Sequence, residues 1–479
     1  MKRITGLITT ALLVLTAACG GGDKPPAGPG DVKKPIPDGP KVPDLSKDAQ
    51  AKFNSAIDAF VDHDKKNDWN DDSCKEVASQ FESVGKNAQA IFNAGLAYQR
   101  CNDDKNAKAK FDQALAADPK FHHARAQLAL YQYKADGNED TAIGALQQAV
   151  TDAQFQNVPA LVNLAMVQMA RDSAQGGQGC KDDMDCAKLN LQRALAIDDA
   201  FMPAFNQLAL YYFQLAKKRA GAMKGTSKSG KGRQIITHAS SQKRADVQQL
   251  ELAALVCSQA IRKNANYAPI HNTAGLIQNE LGQVNGAVSE FAMAAKLDPK
   301  FFEAQMNYAA VNLGFRGFEQ AATAYKKALV MRPNDYDAHL GLALALRGPI
   351  TGAETNYDQL VAAAQSELDA AKKIDPNRPD AYYNEGILTQ EFKAKSGGAK
   401  EKTIAALEEA KKTFQTFLEK ASGKPEYDGA VKRVKGDGSK KDLGRIGDID
   451  DTIAFLKLDA NAQKDATNQG ADAPEPEKK

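Results

Sequence analysis

The sequence repeats itself every 34 residues, and a fixed period of that length admits few architectures other than a stack of like supersecondary units. In Asn93-Ala94-Gly95-Leu96-Ala97-Tyr98, the small residue Gly95 is followed by Ala107, Phe111, Ala114 and Pro119. The same offsets run from Gly275 through Ala287, Phe291, Ala294 and Pro299, and from Ala309 through Ala321, Tyr325, Ala328 and Pro333, and these two units abut without a gap. The spacing has a physical cause. Small residues let two antiparallel helices approach closely, an aromatic fills the space between neighbouring hairpins, and proline cannot continue the second helix.

Three copies in register resemble the tetratricopeptide repeat (TPR) family. Weaker copies fill the rest of the body: Leu128, Ala129, Ala142, Leu146 and Ala149; Leu164, Ala165, Ala187, Leu191 and Ala194; Leu208, Ala209, Tyr212, Ala253 and Ala260. Two more follow, Leu342, Ala343, Ala364, Leu368, Ala371 and Pro376, then Gly386 with Phe414 and Phe417. A worn first repeat spans Phe53–Phe60 and Val77–Val84. The resemblance implies an all-α, right-handed TPR superhelix of about nine helix hairpins over residues 46–421. Inserts are expected near 171–185, 217–245 and 348–358. A capping segment, 422–458, contains the amphipathic run Asp450–Leu456, and the polar residues 459–479 read as a disordered tail.

The first residues read as an export signal. Lys2 and Arg3 precede an apolar run, Ile4–Ala18, too short for the roughly 20 residues that span a bilayer. Leu15-Thr16-Ala17-Ala18-Cys19 resembles the lipobox of bacterial lipoproteins, although Thr16 stands where leucine is usual. That resemblance implies cleavage after residue 18 and acylation of Cys19, each buried methylene contributing about 0.8 kcal/mol to membrane anchoring. Gly20 after the cysteine favours the outer membrane, with the body facing the periplasm. Residues 19–45, rich in Gly and Pro, form an extended tether.

An exported chain folds where disulfides persist. Cys74 lies near the start of one predicted helix and Cys101 near the end of the next antiparallel one, so pairing is expected. Cys180 and Cys186 bracket Lys181-Asp182-Asp183-Met184-Asp185 and can close a small loop, although sequence alone leaves connectivity open. Cys257 remains, on an apolar helix face, as a small buried hydrophobe.

No catalytic constellation emerges. Gly225-Thr226-Ser227-Lys228-Ser229-Gly230-Lys231-Gly232 approaches a phosphate-binding loop, but Gly232 replaces the metal-coordinating hydroxyl and no buried strand precedes it. The histidines have no metal-ligand spacing, so no metal, cofactor or small-molecule substrate is implied, and the chain reads as a non-enzyme. Sixty-two basic against 60 acidic residues give no nucleic-acid signature.

Two features could hold a partner. Asn93, Asn163, Asn307 and Asn384 recur two residues before the small residue, and Asn206 and Asn272 fall one place earlier. Such a row could pair with the main chain of an extended segment in the groove, beside Phe92, Phe205 and Tyr383, or could bond its own scaffold. The second feature is basic: Lys217, Lys218, Arg219, Lys224, Lys228, Lys231, Arg233, Lys243 and Arg244 stand in a stretch without a single acidic residue. That insert either docks to something anionic or is a solvated loop.

Taken together, the lipobox, tether, repeat and cysteine placement resemble the TPR lipoproteins of the myxobacterial adventurous gliding-motility apparatus. This resemblance implies a scaffold in a trans-envelope machine, with periplasmic proteins and outer-membrane barrels as partners. The alternative is an assembly factor or regulator for a type IV pilus secretin, another outer-membrane barrel or a cell-wall synthase.

Overall fold

The computed structural model describes residues 45–66, 68–177, 179–222, 247–396, 399–439 and 442–471; Cys19 and the tether lie outside them. Among the described residues there are helices and turns and no strand. The chain divides into two compact units within helix α9, after Tyr211. The first unit holds four hairpins: α1 (Lys47–Lys66) with α2 (Asp71–Glu82), α3 (Ala88–Arg100) with α4 (Asp104–Ala117), α5 (His122–Asp136) with α6 (Glu139–Asp152), and α7 (Val158–Arg171) with α8 (Asp183–Ile197). Helix α9 (Met202–Ala222) and α10 (Val247–Lys263) flank the long insert.

The second unit continues with α11 (Ala268–Glu280) and α12 (Val284–Leu297), α13 (Phe302–Gly314) and α14 (Phe318–Met331), and α15 (Tyr336–Arg347) and α16 (Tyr357–Ile374). Then α17 (Pro379–Leu388) passes into a π-helical turn, Thr389–Lys393, a short α18 (Ala394–Ser396) and its partner α19 (Lys400–Ala421). Helices α20 (Asp428–Lys435) and α21 (Gly444–Ala471) follow, and Val434, Ile449 and Ile453 close the core around Phe414 and Phe417. Helix α21 runs on to Ala471, beyond the expected boundary at 459, across a stretch with no proline before Pro474.

The repeat motif resolves into one contact. A Cβ placed on Gly95 would lie 2.5 Å from the Phe111 ring, on Gly275 2.6 Å from Phe291, and on Gly386 2.5 Å from Phe414. Each ring thus lies flush against the backbone of the first helix in its own hairpin. It also serves the next hairpin: a Cβ on Gly341 would lie 2.2 Å from Tyr325, and the Phe111 and Tyr131 rings are 6.0 Å apart. Consequently first helices in the middle of the stack are enclosed on nearly all sides, with Ile270–Ile277 of α11 and Phe302–Asn307 of α13 buried without interruption. The second helices stop alike. The carboxylates of Asp118, Asp198, Asp298 and Asp375 accept from Lys120 N, Ala200 N, Lys300 N and Asn377 N at 2.9, 2.9, 3.0 and 3.0 Å, forming an Asx turn that proline follows in three cases.

Both expected disulfides are present. Cys74 in α2 joins Cys101 at the end of α3 (Cα–Cα 6.4 Å), and Cys180 joins Cys186 (5.1 Å) across the acidic insert. That insert is pinned by Asp183, which is almost fully buried: Arg171 grips it through Nε (2.8 Å) and Nη2 (2.6 Å), and Ser173 N donates at 2.8 Å. The third insert is tied by Glu354, whose carboxylate accepts from Thr351 N and Oγ1 (both 2.6 Å) and from Gly352 N (2.9 Å). Cys257 is buried with a free thiol, and burial raises its pKa.

Histidines differ between the units. In the first, burial and the neighbouring His122 hold His123 down to about 3, with Phe92, Phe121 and His122 rings 5.9, 5.5 and 4.3 Å away. Burial lowers His122 as well. In the second, a hydrogen bond from Nδ1 to Glu290 (2.6 Å) raises His271 against the effect of burial, and Nε2 bonds Ala265 O at 2.8 Å.

Two predictions follow from packing and protonation. Gly275→Ala should lower stability by roughly 1–3 kcal/mol despite the better helix propensity of alanine, and Phe291→Leu should restore part of the loss; thermal unfolding of both variants checks it. For pH, the unfolded His122 and His123 take up protons below about 6.5 while folded His123 does so only near 3, so acidification weakens the first unit. His271 has the opposite sign: its stabilisation is complete below the unfolded value and is lost as pH rises through the raised folded value. Amide protection factors measured near pH 7.5 and 5 should therefore fall in α3–α5 relative to α11–α12, and a uniform change would contradict the assignment.

Candidate functional site

The asparagine row lies inside the stack. Asn93, Asn206, Asn272 and Asn307 are fully buried and Asn163 nearly so, while Asn384 is half-buried. Asn307 Nδ2 donates to Asn272 Oδ1 (2.9 Å), joining successive first helices. Asn384 Nδ2 bonds Asp380 O (2.9 Å) within its own helix. Asn93 is the exception, since neither of its amide atoms has a hydrogen-bond partner. Gln127, Gln207 and His339 occupy the same register in other hairpins, so the polar row is not confined to asparagine. Gln127 accepts from Gln99 (3.3 Å), and His339 Nδ1 lies 2.6 Å from Glu367. Most of the row is thus buried, and Asn272, Asn307, Asn384, Gln127 and His339 bond the scaffold. Phe92 and Phe205 are likewise buried, and Tyr383 rests 5.2 Å from the Phe417 ring.

Of the basic insert, Lys217 and Lys218 belong to α9, which carries on to Ala222, well into the stretch expected to be loop. Lys217 Nζ sits 4.8 Å over the Phe213 ring and 3.3 Å from Glu280. Arg219 follows in the helix, and Lys224, Lys228, Lys231, Arg233, Lys243 and Arg244 lie outside the described residues.

A different concentration of charge is on the edge of the second unit. Where α13, α15 and α17 end, three turns lie side by side around an open cleft of about 500 Å³ holding Arg316, Arg347, Arg445 and Glu391, with Leu313, Leu344 and Phe392 among its apolar walls. Arg445 Nη1 donates to Gln390 Oε1 (2.7 Å) and Glu391 Oε1 (2.9 Å). Glu391 is held below the usual carboxylate range: burial raises it, but Arg445 and Lys395 outweigh burial. Burial, and then the Arg445 charge, push Arg347 below the usual guanidinium range. The π-helical turn supplies Glu391 and Phe392 to this cleft and to an adjoining cavity of about 790 Å³ beside Tyr357 and Lys395. Such turns are frequent at functional sites. Nothing in the sequence announces a cleft assembled from four elements, yet Arg316 occupies a position where other repeats carry Gly282 or Asn102, and that departure is visible.

The architecture is therefore a stack of tetratricopeptide-type helix hairpins. No known family profile matches the chain, and no curated protein does. Similar solved structures include a thermophilic TPR protein from Thermus thermophilus (24% identity, 47% of this chain and 98% of that one, TM-score 0.36). Others are YrrB, described as a TPR protein with an unusual peptide-binding site (15%, 48% and 96%, 0.33), and a TPR protein from Parabacteroides merdae (14%, 63% and 97%, 0.34).

The buried row can be tested directly. Replacing Asn93 by Leu removes two unpaired buried polar atoms and should leave stability unchanged or raised. Asn307→Leu takes the donor from Asn272 Oδ1 and should cost about 1 kcal/mol or more, read from thermal unfolding.

Proposed function

We propose that this chain is a non-enzymatic protein-binding scaffold, anchored through Cys19 to the outer membrane and facing the periplasm. In this role it assembles or stabilises a trans-envelope machine, and the gliding-motility apparatus is favoured on the sequence resemblance. The observation that carries the reading is the stack itself. Its first helices are consumed by packing, so each hairpin presents its turns and second-helix faces to the outside at regular intervals, which suits extended contact with other proteins. The bridges Cys74–Cys101 and Cys180–Cys186 support export, because such bonds persist in oxidising compartments and are rare in the cytosol. Partners are envelope proteins, both periplasmic and outer-membrane barrel components.

Anchoring is tested by Cys19→Ala, which should move the chain from the membrane to the soluble periplasmic fraction. Retention of that variant on the membrane would show that lipid is not what holds it. For the machine, deletion should deplete gliding components from the outer membrane. Loss of pilus secretin multimers with gliding components intact would overturn this assignment.

A further inference from the structure

Three arginines and one glutamate line the cleft, and one of those arginines holds a left-handed backbone. Seven residues after the small residue, four hairpins adopt a left-handed conformation: Asn102 (φ 59°), Asp172 (50°), Gly282 (76°) and Arg316 (64°). Glycine takes this conformation freely, and Asn and Asp tolerate it through local hydrogen bonds. Arginine has neither advantage. Such strain persists where the surrounding structure enforces it, as it also does at Gln154 and Phe155, and it is enriched at binding sites.

Arg347 supplies the second observation. It is half-buried, and its guanidinium donates to Asn384 O (3.2 Å) and Asn384 Oδ1 (3.3 Å), with no carboxylate within 4.0 Å among the described residues. A cation at a helix C-terminus is ordinarily explained by the helix dipole. Here the side chain leaves the last carbonyls of α15 and reaches across to α17. Arg445 is matched by Glu391, which Lys395 also approaches at 3.5 Å. Three guanidiniums thus line a cleft whose one carboxylate, Glu391, is already engaged by Arg445. The walls are apolar, which a site for a lone inorganic anion does not require.

We infer that this cleft binds an acidic segment of a partner protein, a side-chain carboxylate engaging Arg316 and Arg347 while an apolar neighbour on the segment rests on Leu344 and Phe392. Arginine suits the task because its planar fork meets a carboxylate through two parallel hydrogen bonds. The open form of the cleft admits a chain that enters and leaves. The inference rests on the scaffold reading above, and it names the chemistry that one edge of the scaffold would select.

The test uses the full chain and two labelled peptides, one of alternating glutamate and leucine and one with glutamine in place of glutamate, followed by fluorescence anisotropy. The intact protein should bind the acidic peptide and not the neutral one. Arg347→Gln should weaken binding at least about tenfold, and Arg347→Lys should restore only part of it. Arg316→Gly is the more telling variant: it relieves the left-handed strain, so the thermal midpoint should hold or rise while binding falls at least about tenfold. Equal binding of the two peptides, or unchanged binding by both variants, would overturn the cleft and leave the scaffold reading untouched. Displacement of the peptide by inorganic phosphate at matched charge would also overturn it, marking a free-anion site. A chain whose deletion disturbs no envelope assembly, yet which still binds the acidic peptide through Arg316, keeps the cleft and overturns the scaffold.

Discussion

The most regular hairpins of this fold depend on a ring lying against a bare stretch of helix backbone. Phe111 against Gly95, Phe291 against Gly275 and Phe414 against Gly386 set how closely the two helices of a hairpin approach, and no side chain can be interposed at those distances. Tyr325 against Gly341 carries the same contact from one hairpin to the next. The interaction is short in sequence within a hairpin and nearly as short between hairpins. A stack built this way gains stability repeat by repeat, as a sum of units and neighbouring interfaces.

That locality explains why the chain accommodates inserts. An insertion at a turn interrupts no long-range pairing, so the additional residues need only satisfy themselves. Two of the inserts do so visibly. Asp183 collects Arg171 and a backbone amide beneath the Cys180–Cys186 bridge, and Glu354 collects the amides and hydroxyl of its own loop. The Cys74–Cys101 bridge has a different setting. It joins the second helix of the first described hairpin to the end of the first helix of the next.

Much of this was legible in the sequence because the determinants are local and periodic. Small residue, alanine, aromatic and proline recur at offsets fixed by the helix turn, so hairpins could be read, and Cys74 and Cys101 fall at opposite ends of adjacent helices, which made their pairing an expectation. Exposure could not. Whether Asn307 faces a groove or a neighbouring helix depends on how tightly successive first helices nest, which is a property of the interface and not of the repeat. The polar register was also disguised by its chemistry, appearing as asparagine in some hairpins and as Gln127, Gln207 or His339 in others. The arginine cleft was hidden for a related reason: Arg316, Arg347, Glu391 and Arg445 meet only after three turns and α21 are brought together. Helix α9 reaches into the basic stretch as far as Ala222 because Lys217, Lys218, Arg219 and Ala220 are helix formers as well as a run of charge, so charge alone does not mark a loop.

Where a protein of this kind can be specific follows from what its packing consumes. A first helix buried on nearly all sides has few side chains left with which to choose a partner, and the polar ones it retains, such as Asn272 and Asn307, are bonded to each other. Selectivity is therefore pushed outward to the turns, where four hairpins need a left-handed backbone residue and composition is otherwise free. A glycine there would satisfy the fold at least cost. Placing arginine at 316, beside two further guanidiniums and a single engaged carboxylate, exchanges a little local stability for a charge that the fold itself does not use. That exchange is intelligible when the edge of the stack, and not its interior, is the surface that meets other molecules.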